Sequence, residues 1–335
     1  MSETQAAVRC GAVAESSNIG IPIRAALRAA EEKLLRLLDS NEALIGEICH
    51  YLVDGGGKRL RPMFILLAYR ACGGSDAKLE DAIDASIALE LIHSATLLHD
   101  DIIDGGMLRR GKPSAFARYG PAASLVAGDY LFCRAFELCG RFEERLVHTA
   151  ARACIQLTEG EVMEGRMRHR AAANLDDYIA IITRKTASLF SAGGRVAADL
   201  AGAGTETISD MERLGRAVGL AFQMVDDLLD ILGPEEKIGK PVGSDLRLGI
   251  MSLPVVLGLR SNPELRTLFG NGNSLEGQVL DHVLSLLRQP ELIERGRAMA
   301  AQHVAGAQEL LMRLPPSVYR DSLAMLIDEQ INRDL

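Results

Sequence analysis

Tryptophan is missing from this 335-residue chain, and aromatic residues supply only 4% of it. Alanine and leucine are abundant and β-branched runs are short, which disfavours a sheet-built core and favours helix. No Gly/Ser-rich or Pro-rich linker divides the chain, and no fixed-period repeat is visible. A single domain over 21–335 is therefore expected, although the length exceeds the usual domain size. A run of 18 or more apolar residues is also lacking, which excludes a membrane-spanning helix. There is no long basic stretch and the net charge is −8, so nucleic acid is not an expected partner. The six cysteines (Cys10, Cys49, Cys72, Cys133, Cys139 and Cys154) show no CxxC spacing. That favours free thiols in a reducing compartment over a disulfide framework or a zinc site. Ser2, Glu3 and Thr4 precede any apolar run, so no secretory leader is expected. Residues 1–20 read as disordered and the protein as cytoplasmic.

What is present is helical periodicity on an apolar content of 48%, ample for a large core. One long amphipathic helix is expected over 21–52, ending at Asp54-Gly55-Gly56-Gly57. The next helix starts near Pro62 and stops at Cys72-Gly73-Gly74. Further helices are expected at 79–104, 121–140, 144–170, 175–202 and 207–232, then 250–260, 276–288, 290–313 and 316–332. Gly105-Gly106 separates the 79–104 helix from the basic loop Leu108–Pro113, and 234–247 reads as a charged loop holding Lys237, Lys240 and Asp245. No strand pattern is convincing. The expected architecture is an all-α bundle.

Two acidic triplets carry the chemistry. Asp100, Asp101 and Asp104 stand in LLHDDIID, and Asp226, Asp227 and Asp230 in FQMVDDLLD. On a helix, residues one and four apart fall within roughly 100° of arc, so each triplet projects from one patch. A lone triplet of this kind is most often a solvated face. Two copies, each ending a strongly apolar helix, are harder to dismiss, because apolar surroundings disfavour unneutralised carboxylates. The first triplet also sits at a helix C-terminus, where the dipole opposes negative charge. That conflict points to function. Hard divalent cations such as Mg²⁺, which bind carboxylates and bridge to substrate phosphates, would relieve it.

Isolated basic groups match the acids: Lys58 and Arg61 in GGGKRLRP at a helix start, Arg109-Arg110, Lys185 beside Thr186, and Lys240. Each alone is more often a surface charge. As a set they fit two anionic groups, one held through metal and one directly.

These motifs, with LVAGDYLF, GEVMEG, RKTASLF and GKPVGSDLR in the same order, resemble the trans-type polyprenyl diphosphate synthase family from about residue 24 to the C-terminus. The resemblance implies an all-α isoprenoid-synthase bundle around a deep central cavity, usually a homodimer. It implies Mg²⁺, three ions per active site, bridging both Asp triplets to an allylic diphosphate of farnesyl or geranylgeranyl type. Arg109, Lys185 and Lys240 would touch that diphosphate. Lys58, Arg61, His93 and Arg110 would hold isopentenyl diphosphate, and Thr186 and Gln223 would line the reacting carbons. One departure is Ile250, which stands where many members carry a phosphate-binding Lys. Another is Gly105-Gly106, in place of polar residues after the first triplet, which is expected to loosen that loop.

Ala95, five residues before Asp100, is small where short-chain members carry a bulky aromatic. Ala95, Leu91 and Ala88 share a helical face that Asp84 continues, about 24 Å below Asp100 at 1.5 Å per residue. Read as a tunnel wall, that face fits roughly five or six isoprene units of ~4–5 Å each. The expected product is about C30–C40, with Phe132 as its floor; ordinary helix packing is the competing reading. An apolar product implies a transient membrane encounter or a partner. Four alternatives remain: a short-chain (C15–C20) geranylgeranyl or farnesyl diphosphate synthase; the catalytic subunit of a heteromeric synthase; a terpene cyclase or head-to-head condensing enzyme, which would not need GGGKRLRP with LRRGKP; and a plain helical scaffold.

Overall fold

The computed structural model describes residues 18–57, 59–233, 241–270 and 275–331. A 3₁₀ turn (Asn18–Ile23) leads into α1 (Arg24–Leu37), α2 (Ala43–Asp54) and α3 (Leu60–Ala71). A second 3₁₀ turn (Asp76–Lys78) opens α4 (Leu79–Ile103), which carries the first triplet. A hairpin of β1 (Leu108–Arg109) and β2 (Lys112–Pro113) follows, then α5 (Ala115–Tyr119), α6 (Pro121–Cys139) and α7 (Glu144–Met167). Next come α8 (Leu175–Ile182), a π turn (Thr183–Ala187), α9 (Ser188–Leu200) and α10 (Thr205–Leu232), which carries the second triplet. The chain closes with α11 (Ser244–Arg247), α12 (Leu253–Ser261), α13 (Pro263–Gly270), α14 (Gly277–Leu287), α15 (Pro290–Leu311) and α16 (Val318–Ile331).

The fold is all-α and forms one domain. Among the described residues no helix is long and apolar enough to cross a membrane. Two apolar cores share α10: its lower half packs Met211, Leu214 and Val218 with α3, α4 and α9, its upper half Val225, Leu228 and Ile231 with α12 and α14. α4 and α10 both contribute residues to one internal cleft.

The elements differ from the sequence expectation at definite places. The 21–52 helix is two helices, because Asp39-Ser40-Asn41 is a polar stop and Ser40 Oγ accepts the Glu42 N–H at 3.2 Å. Residues 18–20, expected to be disordered, belong to the folded body, with Ile19 only 1% exposed. Residues 1–17 lie outside the described part. The hairpin is so short that no alternation could reveal it. Its turn places Arg110 and Gly111 at φ 54° and 74°, the left-handed pair a two-residue hairpin loop uses. The 250–260 helix starts only at Leu253, with Pro254 in its first turn. α13 and the short α5 and α11 were not expected at all.

Candidate active site

α4 and α10 bring their acidic ends to one cavity of about 290 Å³, lined by Asp100 and Asp104 from α4 and by Asp226 and Asp227 from α10. Identical motifs do not give equivalent carboxylates. Asp101 is 4% exposed and is clamped by Arg109, whose Nη2 and Nε donate to Oδ1 at 2.8 Å and Oδ2 at 2.9 Å. Asp230, 2% exposed, accepts the backbone N–H of Asp245 at 3.2 Å, while its own carbonyl accepts the Gly243 N–H. It braces the turn before α11. Asp104 pairs with Arg168, a partner outside every quoted motif.

Asp227 accepts three hydrogen bonds, from Tyr178 Oη and Gln223 Nε2 at 2.8 Å and from the Leu253 N–H at 2.9 Å. Burial and the nearby Asp245 nevertheless push its carboxyl up to about 7. Asp100 is also pushed up to about 7, by burial and by Glu161 and Asp104 against the pull of Lys185. No three carboxylates among the described residues form a ready-made metal cage. Mg²⁺ does not need one, since it keeps waters and takes one or two carboxylates plus substrate phosphates. The all-oxygen donor set, with two members driven toward neutrality, fits a hard divalent cation.

Folded Asp227 holds its proton to about pH 7, whereas an unfolded Asp releases it near ~4. Between those values the folded chain binds more protons, so this residue's contribution to stability is lost as pH rises. In EDTA, Asp227→Asn is therefore expected to gain stability relative to the parent between pH 5 and pH 8, by roughly 1–4 kcal/mol. Paired calorimetric melts check this, and a pH-independent difference sinks it.

The basic groups arrive by different routes. Lys185 and Thr186 lie on the π turn, where one wide turn aims both into the cleft. Gly160 lets the turn lie close to α7: a Cβ there would fall 2.6 Å from the Lys185 nitrogen. Lys185 Nζ consequently reaches Glu161 at 2.7 Å and Glu164 at 2.5 Å. Burial works against its charge, but Glu164, Asp100 and Glu161 outweigh burial and hold it raised. Thr186 Oγ1 donates to Gln223 Oε1 at 2.7 Å, and Gln223 passes on to Asp227. A polar chain thus runs from the π turn to the second triplet.

A second cavity of about 190 Å³ shares Leu97, Asp100, Lys185, Thr186, Gln223 and Asp226 with the first, so the two form one cleft. Its far wall carries Arg61 and His93 beside apolar Leu157, Leu189 and Phe222. The Arg61 guanidinium stacks 4.9 Å above the Phe190 ring. Burial, then Arg61, Arg109, Arg110 and Arg59, push His93 well below its usual range, so it is a neutral imidazole. Gly57 lies under Arg59 and Arg110, where a Cβ would come within 3.1 and 3.2 Å of their nitrogens. Arg59 is engaged elsewhere, donating to Glu31 at 2.8 and 3.0 Å. Lys58 and Lys240 lie outside the described residues.

Ile250 lines the first cavity and presents an apolar surface there. The Gly105-Gly106 loop is not loose: the Gly106 N–H bonds Asp101 O at 2.8 Å, and Ser114 Oγ holds the Gly106 carbonyl. Ala95, Leu91 and Ala88 are fully enclosed and line neither cavity; the α4 residues that do are His93, Thr96, Leu97 and Asp100. Phe132 stands on α6, its ring 5.9 Å from His99 and 6.4 Å from Phe136. Sequence reading gave no role to Glu161, Glu164, Arg168, Tyr178 or Asp245. GEVMEG and GSDLR were the available signals for three of them; Tyr178 and Arg168 had none.

An all-α cleft in which the acidic ends of two helices share a cavity with Lys185, Arg61 and His93 beside apolar side chains suits a metal-assisted diphosphate transferase. A family model described as Polyprenyl synthetase matches residues 42–287, and the chain belongs to that family. It is 36% identical to heptaprenyl diphosphate synthase component 2 of Geobacillus stearothermophilus, over 89% of this chain and 92% of that one. It is 34% identical to a short chain isoprenyl diphosphate synthase of Methanothermobacter thermautotrophicus, over 85% and 89%. A crystal structure of polyprenyl synthase from Caulobacter crescentus CB15, complexed with calcium and isoprenyl diphosphate, superposes with a TM-score of 0.88 at 32% identity, covering 98% of each chain. The protein is accordingly a prenyltransferase, a trans-prenyl diphosphate synthase.

Proposed function

We propose that the enzyme adds isopentenyl diphosphate head-to-tail to an allylic diphosphate with Mg²⁺ and builds a product of about C30–C40 in the cytoplasm. The observation carrying this reading is the single cleft shared by both acidic helix ends, the Lys185–Thr186 turn and the Arg61–His93 wall. Asp100, Asp104, Asp226 and Asp227 are the residues placed to hold Mg²⁺. When bound, Mg²⁺ neutralises the departing diphosphate as a Lewis acid. Lys185 and Arg109 add fixed positive charge on the allylic side. Arg61 and Arg110 hold isopentenyl diphosphate through guanidinium forks suited to phosphate oxygens. Neutral His93 donates or accepts without adding charge. Thr186 and Gln223 present oxygens beside the reacting carbons, their orientation fixed by the bond to Asp227. Leu157, Leu189 and Phe222 exclude water from the carbocation.

Product length rests on α4. Ala95 and Ala88 are small there, although both are enclosed and line neither cavity. Ala95→Tyr is expected to shorten the product to C15–C20. Incubating parent and variant with Mg²⁺, farnesyl diphosphate and labelled isopentenyl diphosphate, then sizing the dephosphorylated products, tests both readings. No parent product overturns the reaction for the isolated chain and favours a partner component, as the Geobacillus relative's name indicates for that protein. Equal lengths remove Ala95 from the wall.

A homodimer through α6 and α7 is supported by their outer faces. Leu125, Val126, Phe136, Ile155 and Val162 are each about half exposed on these two helices, apolar side chains that a partner copy would cover. Light scattering that returns the mass of one chain would overturn it.

A further inference from the structure

A groove between α7, α9 and α10 encloses about 590 Å³ and shares no lining residue with the catalytic cleft. Arg145 and Arg152 reach it from α7, Arg195 from α9 and Arg216 from α10, with Glu212 the sole carboxylate on its wall. Carboxylates offset two of the four positive groups, Glu212 at Arg195 and Asp199 and Glu143 at Arg145, so two stand uncompensated in a chain whose net charge is −8. Glu212 is taken by Arg195 at 2.7 Å, and Arg145 by Asp199 at 2.8 Å. Arg152 and Arg216 enter no ion pair among the described residues.

Solvated surface arginines would be the ordinary explanation. Ser188 argues against it. This residue lines the groove and is only 4% exposed, yet its Oγ is buried and has no hydrogen-bond partner. Buried hydroxyls in folded proteins are normally satisfied, because leaving one unpaired carries the full desolvation cost. An unpartnered hydroxyl in the lining together with the unpaired guanidinium forks of Arg152 and Arg216 suits one ligand with several anionic oxygens.

We propose that this groove is a second, metal-free binding site for a diphosphate group. Its carboxylate count is too low to assemble divalent ions, unlike that of the cleft, so guanidinium contacts carry the recognition. Its volume exceeds the need of a single phosphate. Prenyl transfer releases inorganic diphosphate at each addition and leaves a diphosphate on the product, so the enzyme's own reaction makes ligands of this class. Ser188 directly follows the π turn that carries Lys185 and Thr186, which places the site behind the catalytic turn.

Calorimetric titration of the full-length protein with sodium diphosphate in EDTA tests the site. Arg152→Ala/Arg216→Ala should lose one binding event per chain, or weaken it at least tenfold, while kcat under dilute product is unchanged. Arg152→Gln/Arg216→Gln guards against a folding defect in the first variant. Arg61→Ala, in the cleft, should retain the event. Farnesyl diphosphate titrated in parallel separates the sources. Loss of its binding in the same variants makes the prenyl diphosphate head a ligand; loss for inorganic diphosphate alone makes the leaving group the ligand. Unchanged stoichiometry and affinity in both double variants would falsify the proposal. So would Arg152-dependent binding to phosphatidylglycerol vesicles with no diphosphate event, which would assign the patch to a membrane surface.

Discussion

Asp226→Asn should lower kcat by about 10²–10³-fold, whereas Asp230→Asn should act mainly on stability. The motif makes these two residues look alike; their surroundings do not. Asp226 lines both halves of the cleft. Asp230 is 2% exposed, lines neither cavity and accepts the Asp245 N–H. Replacing its carboxylate weakens a charge-assisted bond to a backbone donor, worth about 1.5–3 kcal/mol. The expected pattern is thus a near-parental melting temperature with little turnover for Asp226→Asn. For Asp230→Asn it is a lowered melting temperature with most turnover kept once Mg²⁺ and substrate are saturating. Steady-state rates across Mg²⁺ concentrations, with melts on the same preparations, decide it. Equal loss of kcat in the two variants would show that Asp230 acts in the cleft after all.

The triplets were legible because residue type and helical spacing alone put three carboxylates on one patch. Which of them face the cleft was not, since that depends on Arg109 closing on Asp101 and on the Gly243–Asp245 turn closing on Asp230. Both are tertiary contacts with no periodic trace. The helical core was legible from apolar spacing, yet the π turn was hidden within it, because one wide turn barely disturbs the apolar periodicity of the long helical stretch Leu175–Leu200. The partners of Lys185 stood in GEVMEG in plain sight, but only the approach of α7 to the turn shows that Glu161 and Glu164 hold it. The arginine groove was beyond sequence reading altogether: Arg145, Arg152, Arg195 and Arg216 come from three helices with no shared motif.

Gly160→Ala should be far more harmful than its chemistry suggests. Alanine is the better helix former by about 1 kcal/mol, so in an open helix the change would stabilise. At Gly165, five residues on in α7, nothing lies within 4 Å of an added Cβ, and that mild outcome is expected. At Gly160 the Cβ would fall 2.6 Å from the Lys185 nitrogen and 3.0 Å from its Cα, both rigid backbone of the π turn. Relief requires the turn or α7 to retreat, an overpacking cost of about 1–3 kcal/mol. The retreat also moves Lys185 from Glu161 and Glu164 and loosens the Thr186–Gln223–Asp227 chain. A displacement near 1 Å at groups that position a reacting substrate costs on the order of 10² in rate. Gly160→Ala is therefore expected to combine a lower melting temperature with roughly 10²-fold lower kcat, and Gly165→Ala a slightly raised melting temperature with parental kcat. If Gly160→Ala keeps full turnover, the close approach of α7 is a packing detail, and the position of Lys185 is set by its carboxylate partners alone.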